Sequence, residues 1–286
     1  MLKIEKIETN DSFKWAEEFL LPFERENCSL MSKIIGREEN LYMVHDYQTL
    51  VRKDIPVGVF SFSRGNAIIC YLNKSNLKIK RAIMRFFKDK EIFSINGDNP
   101  SVRLFEDFLS DKLKDKKKDI RDMYLMEYGG FQEIDETEIY ACSLDDVDLL
   151  MDLQIGFSIE EQNPVYRKSK VMPAAERMAI ERVLRKFFIY SIRRENQILS
   201  KAQLNAISRN WIQIGGVYTR PEFRNKGMAK SLVQYIGNHA VKENKKAVLF
   251  VRKENFPAVA AYESAGFRIC GEHRCVYVYD EESVEL

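Results

Sequence analysis

The spacing of apolar positions along the chain predicts a mixed α/β fold. Apolar residues recur at helical spacing in residues 77–87 and in the segment after Gly227, so both segments predict a helix with one buried face. Residues 247–251 are continuously apolar, as in a strand buried on both faces of a sheet. Arg64 and Gly65 separate two strand-like runs and predict a hairpin between them.

The pattern also gives an order of elements for each half of the chain. The first half is predicted as helices at 11–21 and up to residue 35, strands at 41–44, 56–63 and 66–72, a helix at 77–87, a strand at 91–95, a helix at 101–109 and a strand at 123–128. The second half is predicted as a strand at 139–143, helices at 145–156 and 173–186, strands at 187–192, 198–207 and 211–218, a helix after Gly227, a strand at 247–251, a helix after Asn255 and closing strands at 267–279. Asp11 and Asn255 are predicted N-caps, Gly36 is a predicted C-cap, and residues 97–100 form a predicted turn.

The two halves follow one plan in element order, although their sequences do not repeat. We therefore predict two domains, residues 1–129 and 130–286, each with a central mixed sheet flanked by helices. The junction falls near Gly129 and Gly130. An unrelated α+β domain in the first half is the alternative.

A basic loop, Arg224 to Gly227, lies between a predicted strand and a predicted helix. The first turn of a helix carries unpaired N–H groups and the positive end of the helix dipole, which together bind phosphate. Gly227 lets the backbone approach an anion, while Arg224 and Lys226 add positive charge. The loop predicts an anion site, with an ordinary basic surface turn as the alternative.

The counterpart of this loop in the first half lacks the same chemistry. Residues 73–78 read Asn-Lys-Ser-Asn-Leu-Lys, without glycine or arginine. We therefore predict that residues 1–129 hold no coenzyme.

Two sequence blocks in the second half resemble the GNAT acetyltransferase superfamily. Residues 224–229, Arg-Asn-Lys-Gly-Met-Ala, fit the pattern R/Q-x-x-G-x-G/A, and the strand before them is similar to the family's approach to this loop. Residues 255–267 resemble a second block, N-x-x-A-x-x-x-Y-x-x-x-G-F. The close match covers residues 211–267, and Asn225 stands where the family often has glycine. The resemblance implies two GNAT-like domains in tandem, the first of them degenerate.

The resemblance also implies acetyl-coenzyme A (acetyl-CoA) as co-substrate and a direct transfer of its acetyl group to an amine. The residues that it implies for coenzyme binding are Val217, Tyr218, Thr219, Arg224, Asn225, Lys226, Gly227, Met228, Ala229 and Asn255. Gly215 and Gly216 permit a bulge that would separate their strand from residues 247–251, with an ordinary sheet bend as the alternative. Tyr262 is implied as the acid that protonates the leaving thiolate, and a core aromatic is the alternative.

No general base is evident in the sequence. Gln213 stands where the family often has a glutamate, and an amide cannot accept the proton of an amine. Glu160, Glu161 and Glu176 are candidates in the region that borders the acceptor cleft in the family, and a solvated surface carboxylate is the expectation for each. No histidine has a local partner that makes it a base.

Composition narrows the class of protein and its surroundings. A net charge of +2 over 286 residues predicts no strong attraction to nucleic acid or membrane. The lysine-rich residues 112–118 are interleaved with aspartates and predict a solvated helix end or linker. The five cysteines show no CxxC spacing, so we expect no metal site, no disulfide framework and a reducing cytoplasm. The N-terminus lacks a signal-peptide core.

Three functions are compatible with these observations. The first is a cytoplasmic N-acetyltransferase acting on a small-molecule or peptide amine, with the oligomeric state open and a homodimer as one option. The second is a non-catalytic module that binds or senses acyl-CoA. The third is a structural or interaction protein whose loop binds only phosphate.

Overall fold

The structure is a computed structural model that describes residues 2–48, 53–134, 138–162 and 172–280. The described residues divide into two compact units, one made of the residues up to Met123 together with those from Glu272 onward, and one made of Tyr124–Gly271. Each unit is an α/β structure, as predicted from the apolar pattern.

The elements of the first part of the chain follow the predicted order. They are β1 (Leu2–Lys6), α1 (Asn10–Leu20), α2 (Cys28–Ile35), β2 (Leu41–Gln48), β3 (Lys53–Phe62), β4 (Ala67–Leu72), α3 (Leu77–Phe87), β5 (Ser94–Asp98), α4 (Asn99–Phe108), α5 (Ser110–Leu113) and β6 (Lys117–Tyr128).

The elements of the second part also follow it. They are β7 (Ile139–Ala141), α6 (Val147–Phe157), α7 (Pro173–Lys186), β8 (Ile189–Arg194), β9 (Gln197–Ile207), β10 (Trp211–Thr219), α8 (Met228–Lys242), β11 (Lys246–Arg252), α9 (Phe256–Ser264) and β12 (Phe267–Tyr279). A short π-helical turn, Ser158–Gln162, continues α6 and is called the π segment below.

The sheet of the first unit has the strand order β1-β2-β3-β4-β5-β12. Its pairs are antiparallel except for the parallel pair β4 and β5. Val59 and Phe60 are adjacent on β3 and belong to different core clusters, because successive side chains of a strand point to opposite faces. Helices α1 and α2 contribute to one cluster, and α3 and α4 contribute to the other.

The sheet of the second unit has the order β6-β11-β10-β9-β8-β7. Strands β10 and β11 are parallel, whereas β7, β8, β9 and β10 form antiparallel pairs. Adjacent Ile198 and Leu199 on β9 again enter different core clusters. One cluster takes in α8 and α9, and the other takes in α6 and α7.

Several boundaries differ from the predictions for local reasons. The pattern did not predict β1. Helix α1 is capped by Thr9 rather than Asp11, because Thr9 and Ser12 form a reciprocal capping box. The predicted turn at residues 97–100 is instead the end of β5 and the start of α4, where Asp98 is the N-cap and Pro100 occupies the first turn.

Two further features concern the whole chain. Residues 272–281 belong to the first compact unit, although they follow the second unit in sequence. The roles assigned to residues 1–129 and 130–286 stay predictions. Within the described ranges, no helix combines the length and the apolar character needed to cross a bilayer.

Candidate functional site

Strand β10 contains a bulge at its two glycines. The pairing with β9 shifts between Gly215 and Tyr218, and Gly216 has a φ of +55°. A Cβ at Gly215 would lie 1.9 Å from the Asn205 side chain, and one at Gly216 would lie 2.5 Å from that of Gln203. The register shift confirms the predicted bulge, and the positive φ of Gly216 favours glycine there.

Beyond the bulge, β10 separates from its parallel neighbour. The pairing of β10 with β11 runs from Trp211 opposite Lys246 to Ile214 opposite Leu249. Strand β10 continues to Thr219 and β11 to Arg252, so both strands extend past the last pair. Val217 and Thr219 lie half-buried in this extension. The arrangement leaves β10 backbone available to a ligand that inserts between the strands.

The basic loop leads into α8 with an open helix start. Asn225 and Gly227 have φ values of +61° and +79°, and asparagine tolerates this left-handed conformation better than most residues. Among the residues described, no side chain caps α8, whose N-cap is Gly227 and whose first residues are Met228 and Ala229. The N–H groups of its first turn are therefore open to an anion.

Arg224 is held in place by contacts from two directions. Its Nε donates to Thr219 O at 3.1 Å, and a terminal guanidinium nitrogen donates to both oxygens of Glu160, at 2.8 and 3.0 Å. The Tyr218 hydroxyl donates to Glu160 at 2.6 Å, and burial together with this bond raises the pKa of Tyr218 to about 12. Lys226, by contrast, is exposed; its Nζ donates to Glu222 O at 3.4 Å and lies 4.8 Å from the centroid of the Phe223 ring.

Glu161, which follows Glu160 in the π segment, contacts the end of β11. Glu161 forms an ion pair with Arg252, at the end of β11, over 2.9 Å. Asn255 donates from its amide to Glu161 at 3.4 Å, while its Oδ1 accepts from Ala258 N at 3.2 Å. Asn255 is thus the N-cap that the sequence predicted. Glu160 therefore contacts side chains at the end of β10 and in the basic loop after it, and Glu161 contacts a side chain at the end of β11.

Tyr262 lies on α9 and is buried. It belongs to the same core cluster as Phe267 and Met228. Burial is the main cause that raises its pKa above the ordinary value, and the nearby Glu161 carboxylate adds to the effect. The phenol is therefore protonated at neutral pH. Its position suits either a proton donor or a core aromatic.

The carboxylates considered as bases are all engaged, and one expectation about them is wrong. Glu176 is only 4% exposed, whereas a solvated surface carboxylate was expected. Its Oε2 accepts from Ser158 Oγ at 2.8 Å and from Gln154 Nε2 at 2.9 Å, which offsets the cost of its burial. Gln213 is buried, and its Oε1 accepts no hydrogen bond from the part of the chain that the structure describes.

A buried lysine on β9 completes this polar cluster and was missed in the sequence. Lys201 is 1% exposed, and its Nζ donates to Gln154 Oε1 at 3.0 Å and to Gly216 O at 3.2 Å. The available signal was a lysine within a predicted interior strand. Its partners could not be read from spacing, because they lie on other elements.

The first unit fills the corresponding positions with its own side chains. At the start of α3, Asn76 Oδ1 accepts from Lys78 N and Ile79 N, each at 2.9 Å. At the end of β4, Ser101 Oγ accepts from Leu72 N at 2.8 Å and donates to Leu72 O at 3.4 Å. The helix start and the strand backbone that are open in the second unit are thus occupied in the first.

Comparison with known proteins agrees with this geometry. Residues 156–267, which include β10, the basic loop, α8 and Tyr262, match the model of the Acetyltransferase (GNAT) family. This segment is therefore similar to a GNAT acetyltransferase domain. The GNAT family generally uses acetyl-CoA and transfers acyl groups.

Solved structures extend the GNAT likeness to nearly the whole chain at the level of fold. A tandem GNAT protein from the clavulanic acid biosynthesis pathway is 10% identical, with a TM-score of 0.58 over 97% of this chain and 98% of that chain. A GCN5-related N-acetyltransferase from Sphaerobacter thermophilus is 9% identical, with a TM-score of 0.55 over 97% and 95%. An acetyltransferase of the GNAT family from Colwellia psychrerythraea is 10% identical, with a TM-score of 0.53 over 97% and 100%. The predicted fold of two GNAT-like domains in tandem is confirmed.

Proposed function

We propose that the protein is an acetyl-CoA-dependent N-acetyltransferase that transfers the acetyl group directly to an amine. The uncapped start of α8, beside the place where β10 leaves β11, is the observation that carries the proposal. The start of α8 can bind an anion, and the end of β10 has backbone groups that are not paired with β11. Together they suit a ligand with a diphosphate and an amide-containing arm.

In this proposal most of the site residues bind the coenzyme, and Tyr262 takes part in the reaction. Gly227, Met228 and Ala229 offer backbone N–H groups to the diphosphate, with Arg224, Asn225 and Lys226 beside them. Val217, Tyr218 and Thr219 offer β10 backbone to the pantetheine arm, and Asn255 fixes the start of α9. The amine attacks the thioester carbonyl, a C–N bond forms, the C–S bond breaks, and Tyr262 donates its proton to the thiolate. The proton that the amine loses passes to solvent, and the tyrosinate is reprotonated from solvent before the next turnover.

The acceptor is a small-molecule or peptide amine in this proposal, and the compartment is the cytoplasm. The five cysteines have no CxxC spacing, which supports a reducing compartment. We propose no role for nucleic acid or membrane. No residue is assigned as the base that takes the proton from the amine.

Release of free coenzyme A from acetyl-CoA, measured with a panel of amines, tests the proposal. The Tyr262→Phe variant keeps the ring in the core but removes the acid, so we expect the rate to fall by about 10²-fold or more. The affinity for acetyl-CoA, measured by calorimetry, should change little.

Tyr190→Phe is the matched control, because Tyr190 is a partly buried tyrosine that packs against the same core cluster and is placed outside the proposed machinery. Equal rates for wild type and Tyr262→Phe would remove the tyrosine from the mechanism. Tight binding of acetyl-CoA without release for any amine would favour the acyl-CoA-binding module. No binding at high micromolar concentration would leave only a phosphate-binding or structural role.

A further inference from the structure

We propose that Lys201 is a positioning residue that orients and polarises the Gly216–Val217 peptide so that the Val217 N–H binds the thioester carbonyl oxygen. This inference rests on the proposed acetyl transfer. It concerns a residue on β9, outside both of the sequence blocks that resemble the family.

The argument starts from the geometry of the bulge. Lys201 Nζ donates to Gly216 O at 3.2 Å. A trans peptide is planar, so the carbonyl of Gly216 and the N–H of Val217 point in opposite directions. The N–H is therefore directed away from Lys201. It lies in the part of β10 that has already separated from β11.

The second step concerns how strongly this N–H can donate. A charge-assisted hydrogen bond to a carbonyl polarises the whole peptide and strengthens its N–H as a donor. Lys201 is 1% exposed, so little solvent screens its charge from the peptide. Donors that meet the charge developing on a reacting carbonyl oxygen contribute strongly to catalysis.

The surroundings of Lys201 support a functional reason for its burial. Its neighbours are Gln154 on α6, Gln203 on β9, and the Phe157 ring, whose centroid lies 5.1 Å from Nζ. Of the charged and titratable groups that face it, Glu176 on α7 and Cys142 after β7 act on its charge. The structure keeps a costly buried ammonium beside the bulge instead of an apolar residue.

The test measures the carbonyl stretch of bound acetyl-CoA by infrared difference spectroscopy, together with kcat. In the wild type we expect the band to lie below that of free acetyl-CoA. In Lys201→Met the band should return toward the free position, and kcat should fall by about tenfold. This loss is smaller than the roughly 10²- to 10³-fold cost of removing an oxyanion donor outright. The dissociation constant should stay within about twofold, because the diphosphate site is unchanged.

Lys245→Met is the matched control. Lys245 also donates to backbone carbonyls of the same unit, those of Ser208 and Arg209, at 2.8 and 2.6 Å. These carbonyls precede the first residue of β10, whereas the bulge lies in its second half. The control variant should keep the wild-type band and the wild-type kcat.

A second measurement avoids mutation and covers the case in which Lys201→Met does not fold. Burial lowers the pKa of Lys201 to about 8. The band of acetyl-CoA bound to the wild type should therefore move toward the free position as pH rises from about 6.5 to about 9, an interval of about 2.5 units that spans that pKa. Burial raises the pKa values of Tyr218 and Tyr262, which keeps both protonated in this range.

The outcomes separate this inference from the proposed function. If the wild type binds no acetyl-CoA, both are overturned. If the wild type binds and turns over acetyl-CoA, but Lys201→Met leaves the band unchanged, only the role of Lys201 is overturned. If that variant does not fold, a wild-type band that does not move with pH overturns the role of Lys201 in the same way.

Discussion

Arg224 illustrates how a single residue can serve both the resting protein and a ligand. Its side chain is 41% exposed, and it forms an ion pair with Glu160, which is 39% exposed. A pair that is so accessible to water contributes only about 0–1 kcal/mol. A diphosphate at the start of α8 would offer Arg224 a stronger bidentate partner than this carboxylate does.

At this scale we predict that Glu160→Gln binds acetyl-CoA more tightly. The substitution removes a negative charge that competes for Arg224, while the amide oxygen still accepts from the Tyr218 hydroxyl. An exposed pair of this strength corresponds to about a two- to fivefold lower dissociation constant, measured by calorimetry.

Asp152→Asn is the control for Glu160→Gln. Asp152 also pairs with an arginine of the same unit, Arg220, at 3.2 Å, but neither residue belongs to the basic loop. The control should leave the affinity unchanged. Weaker binding by Glu160→Gln would mean that Glu160 orients Arg224 for the ligand instead of competing with it.

Helices α3 and α8 begin in opposite ways although they hold equivalent places in the element order. Asn76 closes the start of α3 with two hydrogen bonds from its own side chain. Gly227 makes no capping hydrogen bond at the start of α8, because it has no side chain. The N–H groups of a helix start can serve either the fold or a ligand, and the residue at the N-cap decides which.

At the element scale we predict that Gly227→Ala weakens both folding and binding. A Cβ at Gly227 would meet no atom within 4 Å, so the cost comes from the φ of +79° and not from a clash. The free energy of unfolding should fall by about 1–2 kcal/mol in a denaturant titration, as a left-handed alanine requires. If the loop relaxes to avoid this strain, the dissociation constant for acetyl-CoA should rise.

Gly130→Ala is the control that separates the loss of stability in Gly227→Ala from its loss of affinity for acetyl-CoA. Gly130 also has a positive φ, +131°, and its Cβ would also meet nothing within 4 Å. It lies outside the basic loop, so it should cost stability without changing the affinity. Equal affinities for the two variants would show that the loop conformation does not matter for binding.

At the scale of the whole molecule, the two units share a fold but differ in which backbone groups remain available to a ligand. The first unit also takes residues 272–281 from the end of the chain, where His273 to Tyr277 pair antiparallel with β5. Val276 and Val278 of this segment enter the core of that unit. The first unit therefore depends on residues that the sequence order alone assigns to the second.

We predict that one chain binds one molecule of acetyl-CoA. Ser101 and Asn76 already use the backbone groups that would receive a second molecule in the first unit. Calorimetry should give a stoichiometry near one, because of the two equivalent helices α3 and α8 only α8 begins without a side-chain cap. Arg224→Gln should weaken that binding, and Asn76→Ala should leave both stoichiometry and affinity unchanged. A stoichiometry of two would contradict the assignment of the first unit as coenzyme-free.

The sequence by itself determined the features that depend on neighbouring residues. The glycine pair at 215 and 216, the left-handed loop ending at Gly227 and the Asn255 cap are local, because backbone conformation and capping act over a few positions. Even there a competing local signal could mislead, as when Thr9 capped α1 in place of Asp11.

Only the tertiary structure decided which distant groups meet. Glu160 reaches Arg224 across 64 positions of sequence, and Lys201 reaches Gly216 across the β9–β10 bulge. The placement of residues 272–281 in the first unit is of the same kind. Such partners are fixed by strand order and register, and a pattern of apolar positions cannot specify them, because it records which face is buried and not what lies against it.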